Sequence, residues 1–395
     1  MEMRVYLDNA ATTPLSIDVF KAMEPYFFEN FGNPSSTHYH GRQAKGILET
    51  SRSTIADLLN TDPDHIIFTS GGTEADNTAI LSAIRSNGIK VAITTPFEHH
   101  AVLNTLKALE RDKEIRLFYL EYDKNGNLSI PHLERMLASS EKAFVSVMHG
   151  NNEIGNINDI ELIGAVCRKY GAVFHSDTVQ TMGQYKYDTQ QLNADFLVGS
   201  AHKFHGPKGV GFLYKRSLDP VRPFINGGSQ ERGQRSGTEN ITGIVGLAKA
   251  LELSYQNREN YQAHISGLKQ RMIERLTRYI PGIRFNGNSA ITNQSLSTVL
   301  SLSIPEPLNG QSPLIYLDQH NICASGGSAC SSRSTTGSHV LTALGDNFER
   351  STIRFSFSRY NTNEEIDYTV EKLASLYVPE NHIFKSVPDP IIKYA

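Results

Sequence analysis

Up to about residue 215, short apolar runs rich in β-branched side chains alternate with longer stretches in which apolar positions recur every three or four residues. The short runs are HIIFTS (65–70), KVAITT (90–95), AFVSVMH (143–149), AVFHSD (172–177), DFLVGSAH (195–202) and GVGFLY (209–214). Several of them lack a polar face, as a strand does when helices cover both sides of a mostly parallel sheet. The alternation predicts an α/β architecture. Beyond residue 250 the pattern changes. Residues 255–280 predict one long, polar-faced helix. After it, STVLSLSI (297–304), NICASG (321–326) and TIRFSFS (352–358) predict strands, and residues 362–376 a helix. A chain of 395 residues exceeds what one hydrophobic core usually serves. The expected division is a large domain over 14–250 and a smaller α+β domain built from 1–13 and 251–395.

Composition narrows the function classes. Lys and Arg number 38 against 41 Asp and Glu, with no basic block, which argues against a nucleic-acid partner. The N-terminal segment MEMRVYLDNAATTP has no apolar signal region, and no uninterrupted apolar run reaches the roughly 18 residues that a membrane span needs. A cytoplasmic location without a membrane partner is the expectation. Three cysteines, with no CxxC or HExxH pattern, make neither a disulfide framework nor a metal site. Cys167, in the helical pattern IELIGAVCRKY, and Cys323, in the apolar NIC segment, read as inert core thiols. Cys330 is different. Its surroundings, ASGGSACSSRSTTGSH (324–339), are small and polar, and predict a mobile loop carrying a thiol.

Three segments carry candidate chemistry. SGGTEADN (70–77) follows a strand and opens a helix, so backbone N–H groups near Gly72 and Thr73 can approach an anion, or the segment is a plain glycine-rich turn. HSDTVQ (175–180) sets Asp177 at the end of a buried strand, where a carboxylate needs a basic side chain or another cationic group such as a protonated pyridine nitrogen. GSAHKFHGPKGVGF (199–212) places Lys203 after a further strand, flanked by Ser200 and His202. A lysine in a cleft forms a Schiff base once its ammonium pKa is lowered, while on a surface it is a solvated charge. Together the three would put an anion cradle, a carboxylate and an amine on one sheet edge. That set suits pyridoxal 5′-phosphate (PLP), which needs its phosphate held, its ring nitrogen protonated and its aldehyde joined to a lysine.

At this point the chain resembles the fold-type I PLP enzymes, and among them the cysteine desulfurases of the NifS/IscS type. The resemblance runs from YLDNAATTP at residue 6 to RFSFSRY at 360. It rests on FGNPSSTHYHGR, SGGTEADN, EHHAV, NNEIG, HSDTVQ, GSAHKFHGPKGVG, RSGTEN, SGGSACSS and IRFSFSR in that order. It implies a fold with a large PLP-binding domain and a smaller one, and L-cysteine as substrate. It implies that His99 stacks on the cofactor ring, Asp177 pairs the ring nitrogen, Gln180 the phenolic oxygen, and Lys203 carries the cofactor. Thr73, Ser200 and His202 would hold the phosphate, with Thr238 reaching the phosphate site of a second subunit in a homodimer. Asn152 and Arg354 would bind the substrate, the guanidinium fork of Arg354 matching its carboxylate.

Cys330 would take the sulfur as a persulfide and hand it to an acceptor protein, an iron–sulfur scaffold or another carrier. SGGSAC resembles the longer-loop type used in cluster assembly. The chain departs from that pattern at Thr335, Thr336 and Gly337, where relatives read Leu-Glu-Pro, and in its tail FKSVPDPIIKYA. Competing readings are selenocysteine lyase or aminotransferase chemistry on the same fold, and a non-catalytic adaptor. The cysteine loop argues against the aminotransferase, and the presence of both Lys203 and Cys330 against the adaptor.

Overall fold

The computed structural model describes residues 3–140, 142–307, 310–326, 337–346 and 350–377. Cys330, Thr335, Thr336 and the tail from 378 onward lie outside the described residues, and of the predicted loop 324–339 only 324–326 and 337–339 lie within them.

The strands in chain order are β1 (Val5–Tyr6), β2 (Ile66–Thr69), β3 (Val91–Thr94), β4 (Arg116–Tyr119), β5 (Ala143–Ser146), β6 (Val173–Ser176), β7 (Phe196–Ser200), β8 (Gly211–Lys215), β9 (Arg284–Phe285), β10 (Val299–Ile304), β11 (Ile322–Cys323) and β12 (Ser351–Ser356). Seven form one sheet in the order β2-β8-β7-β6-β5-β3-β4. Only β8 runs against its neighbours, pairing antiparallel with both β2 and β7. The reason is local. Residues 201–210 between β7 and β8 are too few for a parallel crossover, which takes a dozen or so. The mostly parallel α/β sheet read from the sequence is the observed one.

Helices pack on both faces, which is why β2, β3, β5 and β8 are buried along their whole length. The helix Gly72–Asn87 buries Ala75, Ala79, Ile80, Ala83 and Ile84, and its three alanines let it lie close to its neighbours. Gly88 ends it in the left-handed region at φ 61°, its N–H donating to Ile84 O.

A second body of core joins Val5, Leu7, the helix Arg258–Tyr279, β10, β12 and the helix Asn363–Ala374. Here β12-β10-β9 form an antiparallel sheet, and β1 pairs in parallel with β11, so the first residues of the chain are built into the same core as its last described helix. The predicted 255–280 helix is present as Arg258–Tyr279, set off from Ile241–Gln256 by a break at Asn257. Three strands had no sequence counterpart: β1, β4 and β9. β4 is an edge strand with only Leu117 buried, so no apolar run marks it.

Candidate active site

The carboxyl ends of the parallel strands open onto one cleft, of about 840 Å³, at the position where ligands sit in open α/β sheets. Its walls include Gly72, Thr73, His99, Asn152, Asp177, Gln180, Ser200, His202, Lys203 and Arg354. Of the candidate residues read from the sequence, then, all but Thr238 and Cys330 meet at one place. Thr238 is exposed and does not line the cleft, and Cys330 is outside the described residues.

Each wall follows from its local structure. Gly72 opens its helix immediately beyond β2. A Cβ there would lie 2.7 Å from Val179 Cγ2, so glycine lets the helix start lie this close to the turn after β6. Glu74 clamps the turn, with Oε2 accepting from Ser70 N at 2.8 Å and Oε1 accepting from Arg235 Nε at 2.9 Å. These hydrogen bonds hold its carboxyl below the usual range even though burial pushes the other way. Asp177 ends β6. Its Oδ1 accepts from Val179 N at 2.9 Å, and the residue is buried.

Lys203 stands in the tight turn Ala201–Lys203 between β7 and β8. That turn is tied to the chain's beginning, with Thr13 N and Thr13 Oγ1 both donating to His202 O at 2.9 Å. Its Nζ donates to Ala10 O at 2.5 Å and Ala11 O at 3.0 Å, and Gln180 Nε2 donates to the same Ala10 O at 3.0 Å.

His99 caps the helix His100–Arg111, its Nδ1 accepting from Ala101 N at 3.1 Å. With Nδ1 an acceptor, the neutral ring carries its proton on Nε2. Burial, the largest influence, and the Lys203 charge push its pKa down, against the pull of Asp177. Burial likewise lowers His202 to about 4, with Lys203 and Lys208 adding to the effect, and its Nδ1 lies 3.2 Å from Thr12 Oγ1.

Arg354, expected from the resemblance to meet the substrate carboxylate, already has partners in the chain. It lines the cleft and is also an ion-pair member: Nη2 donates to Asp8 Oδ1 at 2.7 Å and Nη1 to Asn152 O at 2.9 Å, with only 1% of the residue exposed. Asn152 therefore contributes a backbone carbonyl to this contact.

Sequence reasoning missed four contributors. Asp8 lies 346 positions from Arg354, so only the fold pairs them. Ala10 and Ala11 act through carbonyls, which no side-chain pattern reveals. Asp76, four residues beyond Gly72 in SGGTEADN, lines the cleft. Ligand-type atoms of Asp76, His99 and Asp177 all lie within 4.8 Å of one another. Burial above all, and then the proximity of Asp177 and Glu98, push the Asp76 carboxyl well above its ordinary range. His175 Nε2 is 3.2 Å from Asp76 Oδ1, and burial lowers that imidazole to about 3.

The cysteines divide differently from expectation. Cys167 is buried, its thiol pushed up to about 12 by burial, as its inert reading requires. Cys323, expected in the core, is exposed at the end of β11, because the two-residue strand turns only Ile322 inward. Partial burial, then Asp318 and Asp8, raise its thiol pKa. Among the described residues no helix is long and apolar enough to cross a membrane.

The residues fit PLP. A glycine at a helix start, an amine, a carboxylate just past the central strand and an imidazole, all lining one cleft, supply what phosphate, aldehyde and ring nitrogen require.

Comparison with known proteins gives the same direction. Residues 5–369 match the family described as aminotransferase class-V. The chain is 40% identical over 378 residues to the cysteine desulfurase IscS of Dictyoglomus turgidum, covering 94% of each. A solved NifS-like protein superposes with a TM-score of 0.86 at 35% identity, covering 95% of this chain and 99% of that one. SspA, solved in complex with cysteine, superposes with a TM-score of 0.77 at 31% identity, covering 91% of this chain and all of its own.

Proposed function

The chain belongs to the aminotransferase class-V family and is a PLP-dependent cysteine desulfurase, and on that premise we propose how its own residues carry the reaction. The observation that supports the assignment of roles is the convergence of Gly72, His99, Asp177, Lys203 and Arg354 on one cleft from five separate parts of the chain.

When bound, PLP supplies an aldehyde that joins amines and a protonated ring that draws electron density from the substrate's Cα. The amide groups at Gly72 and Thr73, with Ser200 and His202, hold its phosphate. Asp177 keeps the ring nitrogen protonated. Gln180 supports the phenolic oxygen and His99 covers the ring. Arg354 binds the carboxylate of L-cysteine, orienting Cα toward Lys203. Lys203 Nζ, in its amine form, would move the Cα proton. The Cys330 thiolate then attacks the substrate sulfur. The S–S bond of a persulfide forms on Cys330 as the C–S bond breaks, and the carbon skeleton leaves as L-alanine after protonation.

The sulfur passes to an acceptor protein, for which iron–sulfur cluster assembly is the favoured destination. Thr238, exposed and away from its own cleft, completes the phosphate site of a second subunit in a homodimer. Residues 14–250 form the PLP-binding domain in this reading, and 1–13 with 251–395 the smaller one.

Visible spectra together with alanine and sulfide release from L-cysteine, measured with a reductant, test the roles. Cys330→Ala is expected to remain yellow and release no sulfide, and Lys203→Ala to lose the band of the lysine-bound cofactor. Full sulfide release by Cys330→Ala would replace the persulfide route with direct lyase chemistry.

A further inference from the structure

Behind Lys203, sharing Ala10 and Gln180 with the first cleft, lies a second, narrower one. It runs between the first turn of the helix Arg258–Tyr279, the Phe204–His205 corner and the segment Phe357–Arg359. Its charge is one-sided. Arg258 and Arg359 line it together with Lys203, and among the described residues no Asp or Glu side chain does. The carboxylate facing Arg258 belongs to Glu259, 3.4 Å from Nη2, and that side chain is 88% exposed, on the solvent side. His205 adds no charge, since burial and then Arg359 lower its pKa to about 4.

Two details show that these cations want a ligand. Arg258 Nε is buried and has no hydrogen-bond partner among the described residues, a costly state for a charged donor. The Arg359 guanidinium lies over the rings of Tyr261 at 4.7 Å and Tyr360 at 5.0 Å, and Nη2 donates to Tyr360 Oη at 3.1 Å. Contact with both rings confines the guanidinium and leaves N–H groups for a further acceptor, chemistry that suits a carboxylate. The remaining walls mix Phe204, Phe357 and Ile265 with the polar Gln262, Ser297 and Thr298. Apolar walls around paired guanidinium groups match an organic anion better than a bare inorganic one.

We propose that this cleft binds a small organic carboxylate at Arg258 and Arg359, a site separate from the substrate carboxylate site at Arg354. The occupant would share the Ala10–Gln180–Lys203 wall with the cofactor cleft, which makes it a candidate regulator of the amine's surroundings.

Calorimetric titration of malonate into the holoenzyme tests this, using an Arg354→Gln background to close the substrate's carboxylate site. One saturable event is expected there, weakened about tenfold or more by Arg258→Gln and by Arg359→Gln, with sodium chloride giving none. Binding that vanishes with Arg354→Gln alone, or that is indifferent to both arginine variants, overturns the proposal. If either variant fails to fold, phenylglyoxal labelling of unaltered holoenzyme with mass mapping gives an independent result: malonate must protect Arg258, and unprotected labelling overturns the site. The readout is binding, so its failure leaves the desulfurase roles untouched.

Discussion

At the scale of single residues the cleft is organised by a few buried charges and their partners. The 2.7 Å contact between Arg354 and Asp8 compensates a guanidinium that has almost no access to water. Breaking such a pair by removing one partner costs about 3–5 kcal/mol, because a charge is left buried and alone. Asp8→Asn is therefore expected to lower the melting temperature of the free enzyme. A bound substrate carboxylate should restore part of the loss, since it replaces the missing negative charge. Melting curves with and without a non-reacting carboxylate analogue check this; equal destabilisation in both would mean that Arg354 does not meet the ligand.

Glu98 makes a pH prediction. Burial pushes it up to about 8; Oε1 accepts from Met148 N at 2.8 Å and Thr95 Oγ1 at 3.1 Å, while Oε2 has no partner among the described residues. Between its ordinary pKa of 4.5 and about 8 the folded chain keeps this proton and the unfolded chain releases it. Stability then falls as pH rises through that window, by roughly 5 kcal/mol at most. Glu98→Gln, which keeps the acceptor oxygen and cannot ionise, should gain on the wild type steadily from pH 5 to pH 8. A gap in unfolding free energy that does not change with pH would show that Glu98 is not held protonated.

At the scale of elements, the site depends on how the start of the helix Gly72–Asn87 is fastened. Glu74 bridges Ser70 N and Arg235, tying the turn after β2 to a loop 161 residues away. Glu74→Gln keeps an acceptor for Ser70 and loses the ion pair. PLP affinity is expected to fall about tenfold, equivalent to about 1.4 kcal/mol, with little change in kcat at saturating PLP. Titration of the apoenzyme with PLP measures it, and an unchanged Kd would make the Arg235 contact irrelevant to the cradle.

The same elements show what sequence made legible. β2, β3, β5, β6, β7 and β8 were readable because burial on both faces writes itself as an apolar run, and the strand-end positions of Asp177 and Lys203 followed from those runs. β4 was not, since an edge strand with one buried residue has no such signature. Gly72, Asp177 and Lys203 were found because each sits just past a recognisable strand. Asp8, Ala10 and Ala11 were not, because their roles arise only when β1 docks beside β11 and brings the chain's first residues under Lys203.

At the scale of the whole molecule, a single subunit leaves two features unaccounted for. Thr238 is exposed and remote from its own cleft. In addition, Ile17, Phe20, Phe27, Phe28, Phe31 and Tyr39 are exposed within the first forty residues, with Phe28 at 78%. Clustered apolar exposure on that scale marks an interaction surface, and a self-complementary two-fold pairing is the commonest way to cover one. If Thr238 completes the partner's phosphate site, subunits carrying different lesions must rescue one another in one direction only. In a dimer of one Lys203→Ala subunit and one Thr238→Ala subunit, the cleft with an intact Lys203 receives its threonine from the Lys203→Ala partner and is wild type throughout. The other cleft is dead. Mixing and re-annealing equal amounts should therefore restore about a quarter of the wild-type sites, since about half of randomly paired dimers are mixed and each has one intact site. If Thr238 serves its own subunit instead, no intact site can form in any pairing. Activity of the mixture would then equal the mean of the two parents, and that result would end the shared-site reading.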